Sequence, residues 1–80
     1  MKIEILAFGI AKDILKNRTI SIDLPNGATV GILKNELTSR YPDFQKLKSL
    51  AIAVNEEYQG DDFNLNEKDE VVIIPPVSGG

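Results

Sequence analysis

Residues 19–42 read "TISIDLPNGATVGILKNELTSRYP", and the apolar period changes halfway along them. From Thr19 to Leu24 the pattern alternates. Ile20, Ile22 and Leu24 fall on one side, and Thr19, Ser21 and Asp23 on the other. A period of two is that of a strand with one face buried. Pro25-Asn26-Gly27 then supplies a turn. Thr29 offers a hydroxyl that can accept a hydrogen bond from an orphan N–H at a helix start. Beyond it Val30, Leu33, Leu37 and Tyr41 recur at helical spacing, and the pattern predicts a helix closed by Pro42. A strand and one amphipathic helix in so short a chain call for a sheet with the helix laid across it, the α+β class.

The flanking sequence supplies the rest of that sheet. Met1 to Phe8 alternates, with Ile3, Ile5 and Ala7 on one side and Lys2, Glu4, Leu6 and Phe8 on the other. The stretch from Gly9 to Asn17 fits a short helix presenting Ile10, Ile14 and Leu15. Leu50, Ile52 and Val54 alternate with Ala51 and Ala53 as a third long strand, and a short edge strand is expected around Tyr58. Asn66 to Glu70 is turn-rich. Val71 to Ile74 is a continuous apolar run, as in a strand covered on both faces. The order is β-β-α-β-(β)-β with one main helix.

Eighty residues make one domain with a thin core. The net charge is −3, which argues against nucleic acid as a partner, since phosphate binding needs clustered cations. The charge is also uneven. Residues 1–48 hold eight Lys/Arg and five Asp/Glu (+3), whereas residues 49–80 hold one Lys and seven Asp/Glu (−6). The plain reading is a solvated acidic surface; the sharper one is an acidic end that steers the chain toward a basic partner. No stretch resembles a signal peptide or approaches a membrane span. A soluble, cytoplasmic protein without membrane contact is expected.

With no histidine and no cysteine, the chain has no histidine base, no thiolate nucleophile and no thiolate–imidazole zinc site. Ser21, Ser39, Ser49 and Ser78 have no histidine to activate them. Gly9, Gly27, Gly31 and Gly60 are too scattered for a phosphate-binding loop. Asp61-Asp62 beside Glu56-Glu57 does not have the spacing of a calcium loop, and reads as a solvated turn. No metal site and no bound cofactor are expected, and no active site of the chain's own.

What remains is "VIIPPVSGG", residues 72–80. An α-carboxylate on Gly80 is ionised at neutral pH. It can attack the α-phosphate of ATP brought by a partner enzyme and form an acyl-adenylate. Gly79 and Gly80 have no side chains to clash in a narrow channel. Pro75 and Pro76 lack N–H donors, end the ladder and favour an extended path. The residues after Pro76 reach at most about 13–14 Å. The expected division is a domain over residues 1–76 and a flexible Gly-Gly tail over 77–80.

The chain resembles the small subunits of molybdopterin synthase, sulfur carriers with the ubiquitin-like β-grasp fold. "LAFGIAKD", "GATVGILKNELTSRYP", "AIAVNEE" and above all "LNEKDEVVIIPPVSGG" carry the likeness, which spans nearly the whole chain. Family members usually have glycine where this chain has Lys68, which implies a different turn geometry there. The resemblance implies one mixed sheet packed on one main helix. It also implies a cycle. An adenylating and sulfurating enzyme, using ATP, would convert Gly80 to a thiocarboxylate. The tail would then enter the large synthase subunit, within a heterotetramer, and give sulfur to cyclic pyranopterin monophosphate. This chain would be a non-catalytic, sulfur-donating subunit. A carrier for thiamine thiazole (or another sulfur product) and a ubiquitin-like protein modifier share the fold and the Gly-Gly.

A tail without side chains gives little specificity, so the body must identify the partner. If Ile3, Ile5 and Ala7 face the core, Leu6 and Phe8 lie on the opposite face. Either Val71 and Ile73 or Val72 and Ile74 join them there. Partner contact is assigned to Leu6, Phe8 and Ile74 on the sheet, and to Pro75, Pro76, Val77 and Ser78 along the tail. The alternative for Phe8 is a second small core beneath the Gly9–Asn17 segment.

Overall fold

The computed structural model describes residues 1–47 and 50–74 of the 80-residue chain. In chain order the elements are β1 (Lys2–Ala7), α1 (Gly9–Leu15), β2 (Thr19–Asp23), α2 (Val30–Arg40), a 3₁₀ turn (Pro42–Lys46), β3 (Ala51–Val54), β4 (Glu57–Gln59) and β5 (Val71–Ile74). The strands form one sheet in the order β2-β1-β5-β3-β4. The central β1–β5 pair is parallel and the other pairs are antiparallel, so the sheet is mixed. First and last strands of the chain thus lie side by side and end at the same edge.

One face of this sheet is the core. Ile3, Ile5 and Ala7 of β1, Ile22 of β2, Ile52 and Val54 of β3, and Val71 and Ile73 of β5 are buried on it. Helix α2 covers them with Val30, Leu33 and Leu37, the stripe that its spacing predicts. Each fully buried Leu or Ile contributes about 1.5–3 kcal/mol through the water it sheds.

The start of α2 is secured twice. Thr29 Oγ1 accepts a hydrogen bond from Ile32 N at 3.3 Å, as expected of its cap position. Val30 N and Gly31 N donate to Phe63 O at 2.9 Å and Asp61 O at 3.0 Å, so the β4–β5 connection satisfies donors that a helix leaves open. The Lys34–Asp61 ion pair at 2.8 Å holds the same loop. Leu65, further along it, is buried in the core.

The turns fix the hairpin and explain the departure at Lys68. β3 and β4 are joined by Asn55 and Glu56 alone, with Val54 opposite Glu57. Both take positive φ, 52° and 72°, as a two-residue hairpin matching the strand twist requires. Lys68 is not among the residues with positive φ, so its turn does not need a glycine there. That turn is closed by Asp69 N donating to Asn66 O at 3.0 Å and Asn66 N donating to Asp69 Oδ2 at 2.8 Å.

One local expectation is corrected. α1 buries Ala11 and Leu15 and leaves Ile10 48% exposed, rather than presenting Ile10 inward. The helix is seven residues long, and its inward stripe is one i, i+4 pair; the small Ala11 lets it lie close to the sheet. Pro42 closes α2 as its position predicts, and it also opens the 3₁₀ turn, which buries Phe44. The rings of Tyr41 and Phe44 meet edge to face, with centroids 6.3 Å apart.

Candidate functional site

The face of the sheet turned away from α2 carries the candidate site. Side chains alternate across a strand, so the burial of Ile3, Ile5 and Ala7 sends Lys2, Glu4 and Leu6 to the outer side. β5 resolves the choice its apolar run left open. Val71 and Ile73 are buried, and Val72 and Ile74 are half-buried on the outer face.

The strand registers align these residues into a row. Leu6 stands opposite Thr19 on one side and Val72 on the other. Val72 stands opposite Ala53, and Ala53 opposite Tyr58. The row therefore crosses all five strands, and from Leu6 to Tyr58 it spans about 14–15 Å. Ile74, opposite Ala51, begins a second row, and the β1–β5 register carried one residue on brings Phe8 level with Ile74. Phe8 is 51% exposed while its backbone stays extended, so it is not the centre of a second core. Below the first row the face turns polar: Glu4 is opposite Ser21, and Lys2 is opposite Asp23. The apolar surface is thus confined to the end of the sheet where β5 stops.

Of the residues singled out in the sequence, Leu6, Phe8 and Ile74 are brought together on this patch. Pro75, Pro76, Val77, Ser78, Gly79 and Gly80 lie outside the described residues. Tyr58, 70% exposed at the end of the row, was not counted as a contact residue. Its signal was present, because it is an aromatic in an edge strand, but its partners across the sheet depend on register.

The described residues hold no cluster of three or more Asp or Glu placed for a metal ion. Among them, no helix is long and apolar enough to cross a membrane. What the site offers is an apolar surface beside the origin of the segment that ends in Gly80.

The comparisons agree with this geometry. The ThiS family matches residues 5–80. The molybdopterin synthase sulfur carrier subunit of Dictyostelium discoideum is 40% identical, over 96% of this chain and 94% of that protein. A Pyrococcus furiosus structure described as molybdopterin converting factor subunit 1 superposes with a TM-score of 0.87 at 28% identity, covering 96% of this chain and 99% of that one. A chain of a protein–protein complex of subunits 1 and 2 of the molybdopterin-converting factor from Helicobacter pylori matches with a TM-score of 0.68 at 26% identity, covering 100% of this chain and 100% of that one. The fold is the ubiquitin-like β-grasp of these sulfur carriers.

Proposed function

The chain belongs to the ThiS family and, within it, to the molybdopterin synthase sulfur carrier subunits, and on that premise we propose that Gly80 carries the sulfur as a thiocarboxylate. The observation that carries the reading is the apolar end of the outer face, gathered where β5 leads into the last six residues. A tail of glycines presents its carboxylate without a side chain to obstruct it, and the sheet supplies the recognition that the tail lacks.

The chemistry runs in three steps. The Gly80 carboxylate attacks the α-phosphorus of ATP on an activating enzyme, and pyrophosphate leaves. Hydrosulfide released by that enzyme or its donor attacks the acyl carbon, AMP leaves with one carboxylate oxygen, and loss of the S–H proton leaves the thiocarboxylate. The thiocarboxylate then enters the large synthase subunit and transfers sulfur to cyclic pyranopterin monophosphate. Water restores the carboxylate for another round. Leu6, Phe8 and Ile74 dock the body, and Pro75 to Ser78 lead the tail into the partner. This chain holds no cofactor in the cycle; ATP belongs to the activating enzyme. The assembled synthase is a cytoplasmic heterotetramer with a carrier at each end.

Isolation of the chain from its own cells tests this reading. The large synthase subunit should co-purify in stoichiometric amount. Recovery with thiazole synthase instead, or as a ladder of covalent lysine conjugates, would replace the reading with a thiazole carrier or a protein modifier.

A further inference from the structure

Strand β2 closes one side of the sheet, and its only neighbour there is β1. The hydrogen bonds at its two ends fix which backbone groups that neighbour uses. Ala7 N donates to Arg18 O at 2.8 Å, and Leu24 N donates to Met1 O at 2.8 Å. Bonded pairs alternate with non-bonded ones along an antiparallel ladder, so Arg18, Ile20, Ile22 and Leu24 turn their backbone groups toward β1. Thr19, Ser21 and Asp23 turn theirs away from it. Among the described residues nothing pairs with those outward groups, and all three residues are exposed.

Edge strands are normally guarded by an inward-pointing charge, a bulge, a proline or very short length. Between Thr19 and Asp23 β2 has none of these. Its register with β1 runs unbroken from Leu6–Thr19 to Lys2–Asp23. Its one charge, Asp23, is on the outer face opposite Lys2. The other edge, β4, is guarded by length, since it has only three residues. An open row of donors and acceptors such as that of β2 is a template for another strand.

We infer that β2 pairs antiparallel with β2 of a second copy of this chain, about a two-fold axis through Ser21. The strand is complementary to itself in that register. Ser21 meets Ser21 of the second copy, and the outward groups of Thr19, Ser21 and Asp23 all find partners. Thr19 meets Asp23 of the second copy, so a hydroxyl donates to a carboxylate in both halves. Ile20, half-buried at the rim of the core, meets Ile22 of the second copy. Pro25 falls opposite Asn17 and has no N–H to continue the ladder, which stops there. No like charges face each other. The two copies of Glu4, one strand further in, stand about 14 Å apart, beyond a Debye length. A two-fold pairing uses the same surface on both copies, so it closes at a dimer instead of growing into a filament. β5 is two places from β2 in the sheet, so the apolar patch and the chain after Ile74 stay uncovered. The pairing therefore stands apart from the carrier reading and is compatible with it.

Equilibrium sedimentation of the full chain from about 10 μM to about 1 mM tests the pairing, because so small an interface binds weakly. The mass should climb from monomer toward dimer over that range. Ser21→Lys sets two ammonium groups opposite each other across the axis, while each keeps Glu4 as a cross-strand neighbour in its own chain. It should weaken association about tenfold with little change in the thermal melt. Ser21→Pro removes one outward N–H and leaves the ladder to β1 intact, so it should act alike and serves if the lysine variant fails to fold. In the unsubstituted chain, amide exchange at Thr19, Ser21 and Asp23 should slow about tenfold at the highest concentration, while Ile20 and Ile22 stay protected throughout. A chain that remains monomeric at every concentration would overturn the pairing and leave the edge to another occupant. A folded Ser21→Lys chain that dimerises like the unsubstituted one would overturn it too. Dispersal of the dimer by Phe8→Ser instead would place the second copy on the outer face, and not on the β2 edge.

Discussion

Leu6 and Val72 stand directly opposite one another in the parallel β1–β5 pair, both on the sheet face that α2 does not cover. Their pairing joins the two ends of the chain's fold. It makes the apolar patch a property of the sheet's centre and sets that patch at the base of the terminal segment. Patches of this kind on small proteins mark interaction sites.

Phe8 is the patch's aromatic on the β1 side. Because it is 51% exposed, Phe8→Ala should lower folding stability by less than about 1 kcal/mol, well short of the 3–5 kcal/mol of a core aromatic truncation. Affinity for the large subunit should fall by about 2 kcal/mol. Urea denaturation and a binding titration on the same variant separate the two. A large loss of stability would place Phe8 in the core.

How much of this was legible in the sequence depends on the kind of signal. The alternation of Ile3, Ile5 and Ala7 with Leu6 and Phe8 gave both faces of β1, because a period of two admits one arrangement. The 3.6 spacing of Val30, Leu33 and Leu37 gave α2. β5 was different: Val71 to Ile74 is apolar at every position, so its pattern holds no phase, and only pairing with β1 and β3 decides that Val72 and Ile74 face outward. Phe44 and Leu65 are buried from a 3₁₀ turn and a loop, where no periodicity announces burial. Ile10 was misplaced because a seven-residue helix is too short for its apolar residues to define a stripe.

Glu56 carries backbone strain. At φ 72° it has the left-handed conformation that costs a non-glycine residue about 1–2 kcal/mol. Glu56→Gly removes that cost but gives the unfolded chain more freedom. The net expectation is a gain of about 0.5–1 kcal/mol in urea denaturation. A loss of stability would mean that the hairpin is not held in this turn.

Gly31 should resist substitution although alanine is the better helix former. A Cβ there would lie 3.2 Å from Asp61 Cβ and 3.3 Å from Asp61 O. Asp61 cannot easily give way, since its carbonyl accepts from Gly31 N and its carboxylate pairs with Lys34. The clash should outweigh the helix gain of about 1 kcal/mol, leaving Gly31→Ala destabilised by about 1 kcal/mol. A raised melting temperature would show that the loop relaxes freely.

The central claim is that Gly80 carries the sulfur, and intact-mass spectrometry reads it directly. The chain is incubated with the activating enzyme, ATP and a sulfur source, then fragmented to locate any change. The account predicts that one oxygen is replaced by one sulfur, on Gly80. An unchanged mass, sulfur on another residue, or a product made only of lysine conjugates would contradict it.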